Sequence, residues 1–234
     1  GISGPKPNAG IVAWGSASYG GCSVAGTGYT CAPSDGTYAA IFSANNAFAA
    51  LKADGSITAW GNSANGGSGA PTDNGYTNIV STDSAFAAIK SNGSIAVWGN
   101  DNYGNSGAPT DDGYVSIFST ERAFAALKAD GSITSWGKSS YGGSGAPTED
   151  GYVAIVATEY AFAALKNDGS ITAWGDDDFG GSGAPTDDGY TKIVANVYAL
   201  AALKTDGSIT AWGYFDAGGC SVAGSGYTCA PTDN

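Results

Sequence analysis

The chain has 234 residues, with 9 basic and 21 acidic side chains, a formal net charge of −12 and no histidine. This charge excludes a protein that tracks nucleic-acid phosphates, because no basic cluster could neutralise them. The absence of histidine excludes Ser-His and Cys-His nucleophile pairs and histidine-bound metals, and without a run of 18 apolar residues no membrane insertion is predicted.

The chain opens with residues 1–7, whose two Pro and two Gly predict an extended leader. Residues 8–36 are a half-repeat, in which Ile11–Trp14 matches the outer strand of a hairpin that lacks its partner. A strand of this kind exposes unpaired backbone groups and an apolar side, which proteins normally cover. The predicted assembly edge is therefore Ile11, Val12, Ala13 and Trp14. Two explanations remain open: pairing within the chain, or completion of a neighbouring chain.

The four cysteines lie in two near-identical loops, GGCSVAGTGYTCAPSD and GGCSVAGSGYTCAPTD. Each is the ordinary repeat loop GGSGAPTD with eight residues inserted between two cysteines. Four cysteines allow three pairings, and the local pairs Cys22–Cys31 and Cys220–Cys229 are favoured because each flanks one insertion. A metal site is disfavoured by the wide spacing and the lack of histidine. Disulfides predict an oxidising location, extracellular or at the cell surface.

Five complete repeats follow the half-repeat. Each has an inner strand such as Tyr76–Ser81 and then a hairpin such as Ala85–Gly99, AFAAIKSNGSIAVWG. An Asp-Gly or Asn-Gly pair lies at every hairpin apex and predicts a type I′ turn, with positive φ at both residues. The repeats span residues 37–74, 75–112, 113–150, 151–188 and 189–234.

The period predicts the fold class. Four successive intervals from Trp60 to Trp212 are 38 residues each, a spacing typical of solenoids, propellers or arrays. Apolar residues on both faces of the hairpins predict small sheets sandwiched between neighbours, as propeller blades are. We therefore expect an all-β chain, a β-propeller of about 38-residue hairpin-based blades. Five complete blades and an N-terminal half-blade would form one domain over residues 8–234, with five- or six-fold arrangement.

The pattern IVSTDSAFAAIKSNGSIAVWGNDNYGNSG, residues 79–107, resembles the repeat of the regulator-of-chromosome-condensation propeller family. The short period is most similar to the compact-blade branch, which includes a secreted β-lactamase-inhibitory propeller. The resemblance covers about residues 8–234 and implies the propeller fold. The family's frequent histidine before the aliphatic strand is absent near Ala85, Ala123 and Ala161, and Gly-Gly-Ser-Gly replaces Gly-Gln-Leu-Gly. The family's guanine-nucleotide exchange activity is not carried over to this acidic chain.

Acidic residues recur in the same loop of each repeat, as in Asp111-Asp112, Glu149-Asp150 and Asp187-Asp188. A glycoside hydrolase needs two carboxylates about 5 to 10 Å apart across one bond, whereas recurrence in every loop is typical of turn residues. We therefore predict no enzyme, no catalytic residue and no metal or cofactor. Ca²⁺ is the alternative, because Asp, Asn and carbonyl oxygens suit it. Asn92-Gly93-Ser94 is a formal glycosylation sequon in a tight turn.

Two rows of loop positions vary between repeats and hold the predicted binding residues. In a propeller, equivalent loops cluster at one end, and rings rich in Tyr suit protein or glycan recognition. The alternative is that these aromatics only cap the blade tips. The turn that leads into the hairpin varies through Asn46, Ser84, Arg122, Tyr160 and Tyr198; the loop after Trp-Gly varies through Tyr19, Asn65, Tyr103, Tyr141, Phe179, and Tyr214 with Phe215.

Two functions are consistent with these patterns. The favoured one is a non-enzymatic extracellular structural or adhesive β-propeller module, which self-associates head to tail into a surface array or filament. The alternative is a secreted monomeric binding protein, a lectin or an enzyme inhibitor, that uses its Tyr-rich loop face. Both predict protein partners, with a glycan as a further candidate and no nucleic acid.

Overall fold

The computed structural model describes residues 11–22 and 28–220 of the chain. Their strands form five antiparallel sheets, which we call blades 1 to 5. Within the described ranges no helix is long and apolar enough to cross a membrane. The predicted residues 1–7 and Cys229 lie outside these ranges.

Each blade follows the predicted order of inner strand, hairpin and loop. Blade 1 also contains a short strand that pairs with its outer strand, in the order β1-β4-β3-β2, and the other four blades have three strands each. The strands are β1 (Tyr29–Thr30), β2 (Tyr38–Ser43), β3 (Ala47–Lys52) and β4 (Ile57–Asn62) in blade 1; β5 (Tyr76–Ser81), β6 (Ala85–Lys90) and β7 (Ile95–Gly99) in blade 2; β8 (Tyr114–Ser119), β9 (Ala123–Lys128) and β10 (Ile133–Gly137) in blade 3; β11 (Tyr152–Ala157), β12 (Ala161–Lys166) and β13 (Ile171–Gly175) in blade 4; and β14 (Tyr190–Ala195), β15 (Ala199–Lys204) and β16 (Ile209–Gly213) in blade 5.

A short 3-10 helix follows each outer strand, and a sixth lies before blade 1. These helices are Ala17–Tyr19, Ser63–Asn65, Asp101–Tyr103, Ser139–Tyr141, Asp177–Phe179 and Phe215–Ala217. The chain divides into two compact units, Gly1–Asp112 with blades 1 and 2, and Gly113–Asn234 with blades 3 to 5. The division falls on a predicted repeat boundary. The assignment of residues 8–234 to a single domain stays a prediction.

The hairpin turn differs from the predicted type I′ turn. Among the described residues, only glycines have positive φ, so Asp54 does not adopt the conformation that type I′ requires. Instead, Gly55 N donates to Lys52 O (3.0 Å) and Lys52 N donates to Ser56 O (2.9 Å). This is the pattern of a three-residue loop that ends in a left-handed glycine, Gly55 with φ +80°. The carboxylate of Asp54 accepts bonds from Ser56 N and Oγ, which stabilises the loop.

Neighbouring blades are joined at this turn within each unit. In unit 2, the backbone N–H of Tyr152 in blade 4 donates to Gly131 O at the hairpin apex of blade 3 (3.2 Å). A Cβ at Gly131 would lie 2.4 Å from that nitrogen, so only glycine fits. At Gly207, the corresponding apex of blade 5, a Cβ would meet nothing within 4 Å.

The core lies between the blades, as predicted from the two apolar faces of the hairpins. Between blades 1 and 2, Ala47, Ala49 and Leu51 pack against a cluster that includes Ile79 and Phe86. Small alanines on the middle strand allow the sheets to approach closely. Each inner strand also has a register shift after its first tyrosine.

In blades 2, 4 and 5, a tryptophan on the outer strand connects the blade to the loop of the preceding blade. Trp98 stacks on Phe86 with ring centroids 5.1 Å apart, and its Nε1 donates to Gly66 O (3.1 Å) in the preceding blade. In unit 2, Trp174 and Trp212 make the equivalent bonds to glycine carbonyl groups at 3.0 and 3.1 Å. These three tryptophans are thus packing residues.

The prediction of a strand at Ile11–Trp14 is wrong. These residues adopt no strand, and their described backbone bond runs from Ile11 N to Pro33 O (3.3 Å). The outer strand of blade 1 pairs instead with Tyr29–Thr30. The physical reason is that a strand needs a paired neighbour, and none of the described strands lies beside Ile11–Trp14.

The first local disulfide is confirmed. Cys22 and Cys31 are bonded with an S–S distance of 2.02 Å. Cys220 is also disulfide-bonded, and Cys229 lies outside the described residues. The inserted loop before blade 1 is therefore closed at its base, as its sequence predicted.

A Tyr, a Lys and a carboxylate form a repeated surface cluster at the start of the inner strands. In blade 2, Tyr76 donates to Asp73 Oδ1 (2.9 Å), Lys90 bonds the same carboxylate, and Lys90 Nζ lies 4.9 Å from the Tyr76 ring centroid. The hydrogen bonds from Lys90 and Tyr76 lower the pKa of Asp73. Bonds from Lys204 and Tyr190 lower the pKa of Asp187 in blade 5.

Substitution of the apex glycines tests the connection between blades. Both Gly131→Ala and Gly207→Ala place a side chain in the left-handed region, which costs about 1–2 kcal/mol. Gly131→Ala also forces the backbone of Tyr152 away, so we expect a clearly larger loss of unfolding free energy in urea. Equal losses for the two variants would show that the contact at Gly131 does not stabilise the blade pair.

The lowered pKa of Asp73 predicts an acid-dependent loss of stability. A carboxylate with a lower pKa in the folded state stabilises the protein above its unfolded pKa of about 3.9 and loses this contribution as pH falls through the folded value. Asp73→Asn should therefore lower the urea midpoint at pH 7 and leave it nearly unchanged at pH 2. Asp150→Asn, which changes an exposed carboxylate, is the control, and its urea midpoint should match that of the wild type at both pH values. An equal lowering of the midpoint by Asp73→Asn at pH 7 and at pH 2 would contradict the prediction.

Candidate functional site

The candidate site in unit 2 is formed by the inner turns, the turns between the first and second strands of each blade. Backbone bonds join consecutive inner turns: Glu121 N donates to Glu159 O (2.9 Å), and Glu159 N donates to Val197 O (3.0 Å). These bonds set the spacing of the residues that follow, which are Arg122, Tyr160 and Tyr198.

Each inner turn is also tied to the loop after the outer strand of the same blade. The buried Thr120 hydroxyl donates to Tyr141 O (2.9 Å), and that of Thr158 donates to Phe179 O (3.1 Å). In blade 5 an asparagine replaces the threonine, and Asn196 Nδ2 donates to Ala217 O (2.8 Å). The two predicted rows of variable residues are therefore brought side by side.

The result is one continuous row of aromatic rings. Its centroid distances are 5.1 Å for Tyr141–Tyr160, 4.5 Å for Tyr160–Phe179, 5.5 Å for Phe179–Tyr198 and 6.1 Å for Tyr198–Tyr214. Residues of the inner turns alternate with residues of the loops. We call these five residues, Tyr141, Tyr160, Phe179, Tyr198 and Tyr214, the aromatic row.

The rings of the aromatic row pack at mixed angles. Tyr160 and Phe179 are inclined by 29° and Phe179 and Tyr214 by 26°, whereas Tyr198 is inclined by 48° to Phe179 and by 67° to Tyr214. The row therefore combines stacked ring faces around Phe179 with an edge contact between Tyr198 and Tyr214, which are both exposed. Desolvation, followed by the charges of Glu121 and Glu159, raises the pKa of Tyr160, so its hydroxyl stays protonated at neutral pH.

Two cations lie at the Tyr141 end of the row. Arg122 Cζ and Lys138 Nζ are each 5.1 Å from the centroid of the Tyr141 ring, within the range of cation–π attraction. Arg122 Nε also donates to Glu121 Oε1 (2.8 Å). Five lysines of the chain instead lie over the first tyrosine of an inner strand, namely Lys52, Lys90, Lys128, Lys166 and Lys204.

The remaining predicted binding residues lie elsewhere. Tyr19 is exposed on the helix before blade 1, and Tyr103 is half-buried in blade 2, where its carbonyl accepts from Thr82 (2.8 Å). Phe215 is exposed beside Tyr214. Sequence reasoning found every member of the aromatic row but placed the two sets of positions in separate rings.

A second candidate surface is the predicted assembly edge in unit 1. This edge borders a cavity of about 310 Å³ that lies between residues 11–14 and blade 1. Ile41 is 54% exposed there, whereas the equivalent Ile79 of blade 2 is 2% exposed. The buried Trp60 Nε1 finds no hydrogen-bond partner among the described residues. The cavity is lined by Ile11, Val12, Ala13, Trp14, Ile41, Phe48 and Trp60.

A third apolar surface lies on blade 5 and was missed by sequence reasoning. Leu203 is 37% exposed, whereas the equivalent Leu165 of blade 4 is 7% exposed, and Val194 and Ile209 are exposed beside it. The sequence offers no local sign of this, because these positions carry the same residue types as their buried counterparts.

Carboxylates do not converge on a metal centre in the described parts of the chain. Residues 11–22 and 28–220 hold no group of three or more His, Cys, Asp or Glu side chains that could bind an ion. The recurring Asp54, Asp130, Asp168 and Asp206 bond the serine two residues later. Ca²⁺ binding and the absence of enzymatic activity stay predictions.

No protein-family model and no curated protein matches the chain. Several solved structures share its fold. The ectodomain of the receptor kinase CR4 from Physcomitrella patens matches with a TM-score of 0.55 and 19% identity over 79% of this chain and 53% of its own. The CRINKLY WD40 ectodomain of the receptor kinase ACR4 from Arabidopsis thaliana matches with a TM-score of 0.54 and 18% identity, over 89% of this chain and 73% of its own. Prp20p from Saccharomyces cerevisiae, also described as yeast RCC1, matches with a TM-score of 0.48 and 18% identity, over 74% of this chain and 57% of its own.

The chain spans about half the length of the CR4 ectodomain. At these identities the likeness concerns the fold alone. Together with the five repeated sheets, the two plant ectodomain matches confirm the predicted all-β propeller fold. This is the fold that the resemblance to regulator-of-chromosome-condensation repeats implied.

Proposed function

We propose that the protein is a non-enzymatic extracellular structural and adhesive β-propeller module, which associates with copies of itself head to tail. The observation that carries this proposal is that Ile41 of blade 1 and Leu203 and Ile209 of blade 5 are exposed, whereas the equivalent Ile79, Leu165 and Ile171 are buried between blades. We call the face of a blade that packs on the next blade its trailing face, and the face that packs on the preceding blade its leading face.

The contact between blades 4 and 5 defines both faces. The trailing face of blade 4 contributes Ala163, Leu165 and Ile171, and the leading face of blade 5 contributes Tyr190, Ile193, Leu200, Ala202 and Trp212. The equivalent trailing residues of blade 5 are Ala201, Leu203 and Ile209. The equivalent leading residues of blade 1 are Tyr38, Ile41, Phe48, Ala50 and Trp60.

The exposed faces favour association with a second copy. Full burial of a Leu or Ile side chain contributes about 1.5–3 kcal/mol, and contiguous exposed apolar surface marks an interaction site. A trailing face on one copy fits a leading face on the next, so the contact is heterologous. Such a contact propagates as a filament or array when it does not close into a ring.

An extracellular location is supported by the disulfide between Cys22 and Cys31, because disulfides persist in oxidising compartments. The formal charge of −12 is consistent with a solvated outer surface. Two of the structures that share the fold are receptor-kinase ectodomains. A non-enzymatic role is favoured by the absence of histidine and by the recurrence of carboxylates as turn residues.

Two single variants test head-to-tail association. Ile41→Glu disables the leading face of blade 1, and Leu203→Glu disables the trailing face of blade 5. In sedimentation velocity we expect the wild type to form larger species as its concentration rises and each variant to stay monomeric. An equimolar mixture should form a 1:1 heterodimer and nothing larger, because each variant retains one functional face.

Val153→Glu is the matched control, because Val153 is an exposed valine on an inner strand outside both faces. It should associate like the wild type. A wild type that is monomeric at all concentrations, or a mixture of the two variants that does not interact, would overturn the proposed function.

A second function, recognition of a protein partner, is favoured by the aromatic row. Tyr and Arg are enriched at interface hot spots, and stacked rings are already ordered, which lowers the entropy cost of binding. Stacking on Phe179 covers ring faces of Tyr160 and Tyr214, which leaves less open ring surface for sugar rings. The exposed edges and hydroxyls suit the mixed apolar and polar surface of a protein.

Substitution of Tyr198 and Tyr214, the two tyrosines at the more exposed end of the row, tests this second function. With immobilised protein and extract from the native source, Tyr198→Ala/Tyr214→Ala should lose a partner that the wild type retains. Tyr19→Ala, which removes an exposed tyrosine outside the row, should keep that partner. Each lost ring pair should cost about 0.5–1.5 kcal/mol of stability. Equal retention by all three proteins would exclude the row as the binding surface.

A further inference from the structure

We infer that copies join by exchanging an outer strand: Ile11–Trp14 of one copy takes the place that Ile209–Trp212 occupies beside β15 in another. This inference rests on the proposed head-to-tail association and names the residues that form the junction. It follows from a duplicated sequence, from the different environments of its two copies and from the space beside blade 1.

The two segments are nearly the same sequence. Residues 11–14 read IVAW, and the outer strands at residues 57–60, 171–174 and 209–212 all read ITAW. What singles out blade 5 is the loop that follows its outer strand. The cysteine loops that follow, residues 20–35 and 218–233, differ only by Thr27 against Ser225 and Ser34 against Thr232. Either segment therefore has the residues that the outer strand of blade 5 requires.

The two copies have opposite environments. Trp212 is 3% exposed on β16, opposite Leu200 of β15, and its Nε1 donates to Gly180 O. Trp14 is 85% exposed, although the three residues before it, IVA, nearly match the ITA before Trp212. Val12 beside it is also exposed, and neither residue belongs to a strand. What Trp14 lacks is a middle strand on which to pack.

The leading face of blade 1 already carries part of a preceding blade. A Cβ at Gly20 would lie 2.8 Å from Phe48 Cδ2 and 3.1 Å from Trp60 Cδ1. Gly66 has the same close approach to Phe86 in blade 2. The loop that contains Gly20 thus occupies the position of the outer loop of a blade before blade 1.

Among the residues that the structure describes, no inner or middle strand accompanies this loop. The cavity of about 310 Å³ lies where such strands would fit, between Ile11–Trp14 on one side and Ile41, Phe48 and Trp60 on the other. A complete blade 5 from a second copy would bring its own outer strand and loop into the space that residues 11–21 already fill. Docking in the repeat geometry therefore requires one of the two equivalent outer strands to leave.

Exchange resolves this conflict. Strands β14 and β15 of one copy fill the cavity of the next, and Ile11–Trp14 pairs with β15 in place of β16. The register of blade 5 then sets the contacts, because Leu200, Ala201 and Leu203 now lie opposite Trp212, Ala211 and Ile209. In the junction Trp14 lies opposite Leu200, and Ala13 lies opposite Ala201. Leu203 packs against Ile41, as Leu165 packs in the cluster with Ile193.

Cross-linking between two different variants tests the exchange. Ala13→Cys and Ala201→Cys are purified separately with their native disulfides intact, mixed and oxidised. We expect a covalent heterodimer whose linked peptides join positions 13 and 201, in clear excess over the homodimers. The control replaces Ala201→Cys by Ala163→Cys, the same position in blade 4, which is buried against blade 5 and whose outer strand is not followed by a cysteine loop; no link to position 13 should form.

Trp14→Ala provides a readout without cysteines. Because Trp14 is largely exposed in the described structure, the thermal midpoint of the monomer should stay unchanged. Association should weaken at least tenfold, because the exchanged strand loses its anchoring ring.

The outcomes separate the exchange from the proposed function. If Ile41→Glu and Leu203→Glu form their heterodimer but positions 13 and 201 do not cross-link, the exchange is wrong and head-to-tail association stands. A link at monomer mass in the double variant Ala13→Cys/Ala201→Cys would show pairing within one chain and overturn the exchange. If the wild type does not associate at all, the proposed function fails and the exchange fails with it.

Discussion

The structure depends on the contact by which an outer-strand tryptophan reaches the loop of the preceding blade. Trp98 donates to Gly66 O (3.1 Å), and the Phe86 ring that stacks on Trp98 fits only because Gly66 has no side chain. In blades 2, 4 and 5, the loop of the preceding blade therefore supplies the acceptor for the indole N–H. Trp60 of blade 1 is equally buried, but its indole nitrogen has no partner among the described residues.

The sequence predicted the strands well because their determinants are local and repeated five times. The 38-residue interval, the apolar hairpins and the Trp-Gly positions are all visible without tertiary information, and the predicted inner strand Tyr76–Ser81 has the observed bounds. The predicted type I′ turn was wrong because an Asp-Gly pair fits both a two-residue and a three-residue loop. The bonds between Lys52 and Ser56 decide between them, and they depend on how the flanking strands pair.

The binding surfaces were only partly predictable because they depend on neighbours far along the chain. The variable positions identified Tyr160 and Phe179, but their stacking needs the bond from the Thr158 hydroxyl to Phe179 O, between residues that are 21 apart in the chain. Ile41 and Leu203 could not be distinguished from their buried equivalents, since the residue types are the same. Their exposure follows from a blade's place in the series, which no local pattern encodes.

The geometry of the junction, and not the burial of the exchanged strand, favours exchange over simple docking of intact blades. Association costs about 4–15 kcal/mol in lost translational and rotational freedom, so a junction must bury several large apolar side chains to form. Replacing β16 by Ile11–Trp14 exchanges nearly equivalent backbone pairing, and the burial of Trp14 is offset by the exposure of Trp212. The gain comes from the contact with blade 1, where Ile41 and Leu203 contribute about 1.5–3 kcal/mol for each side chain that becomes fully buried. The two segments therefore compete on nearly equal terms, and the contact with blade 1 decides which one stays.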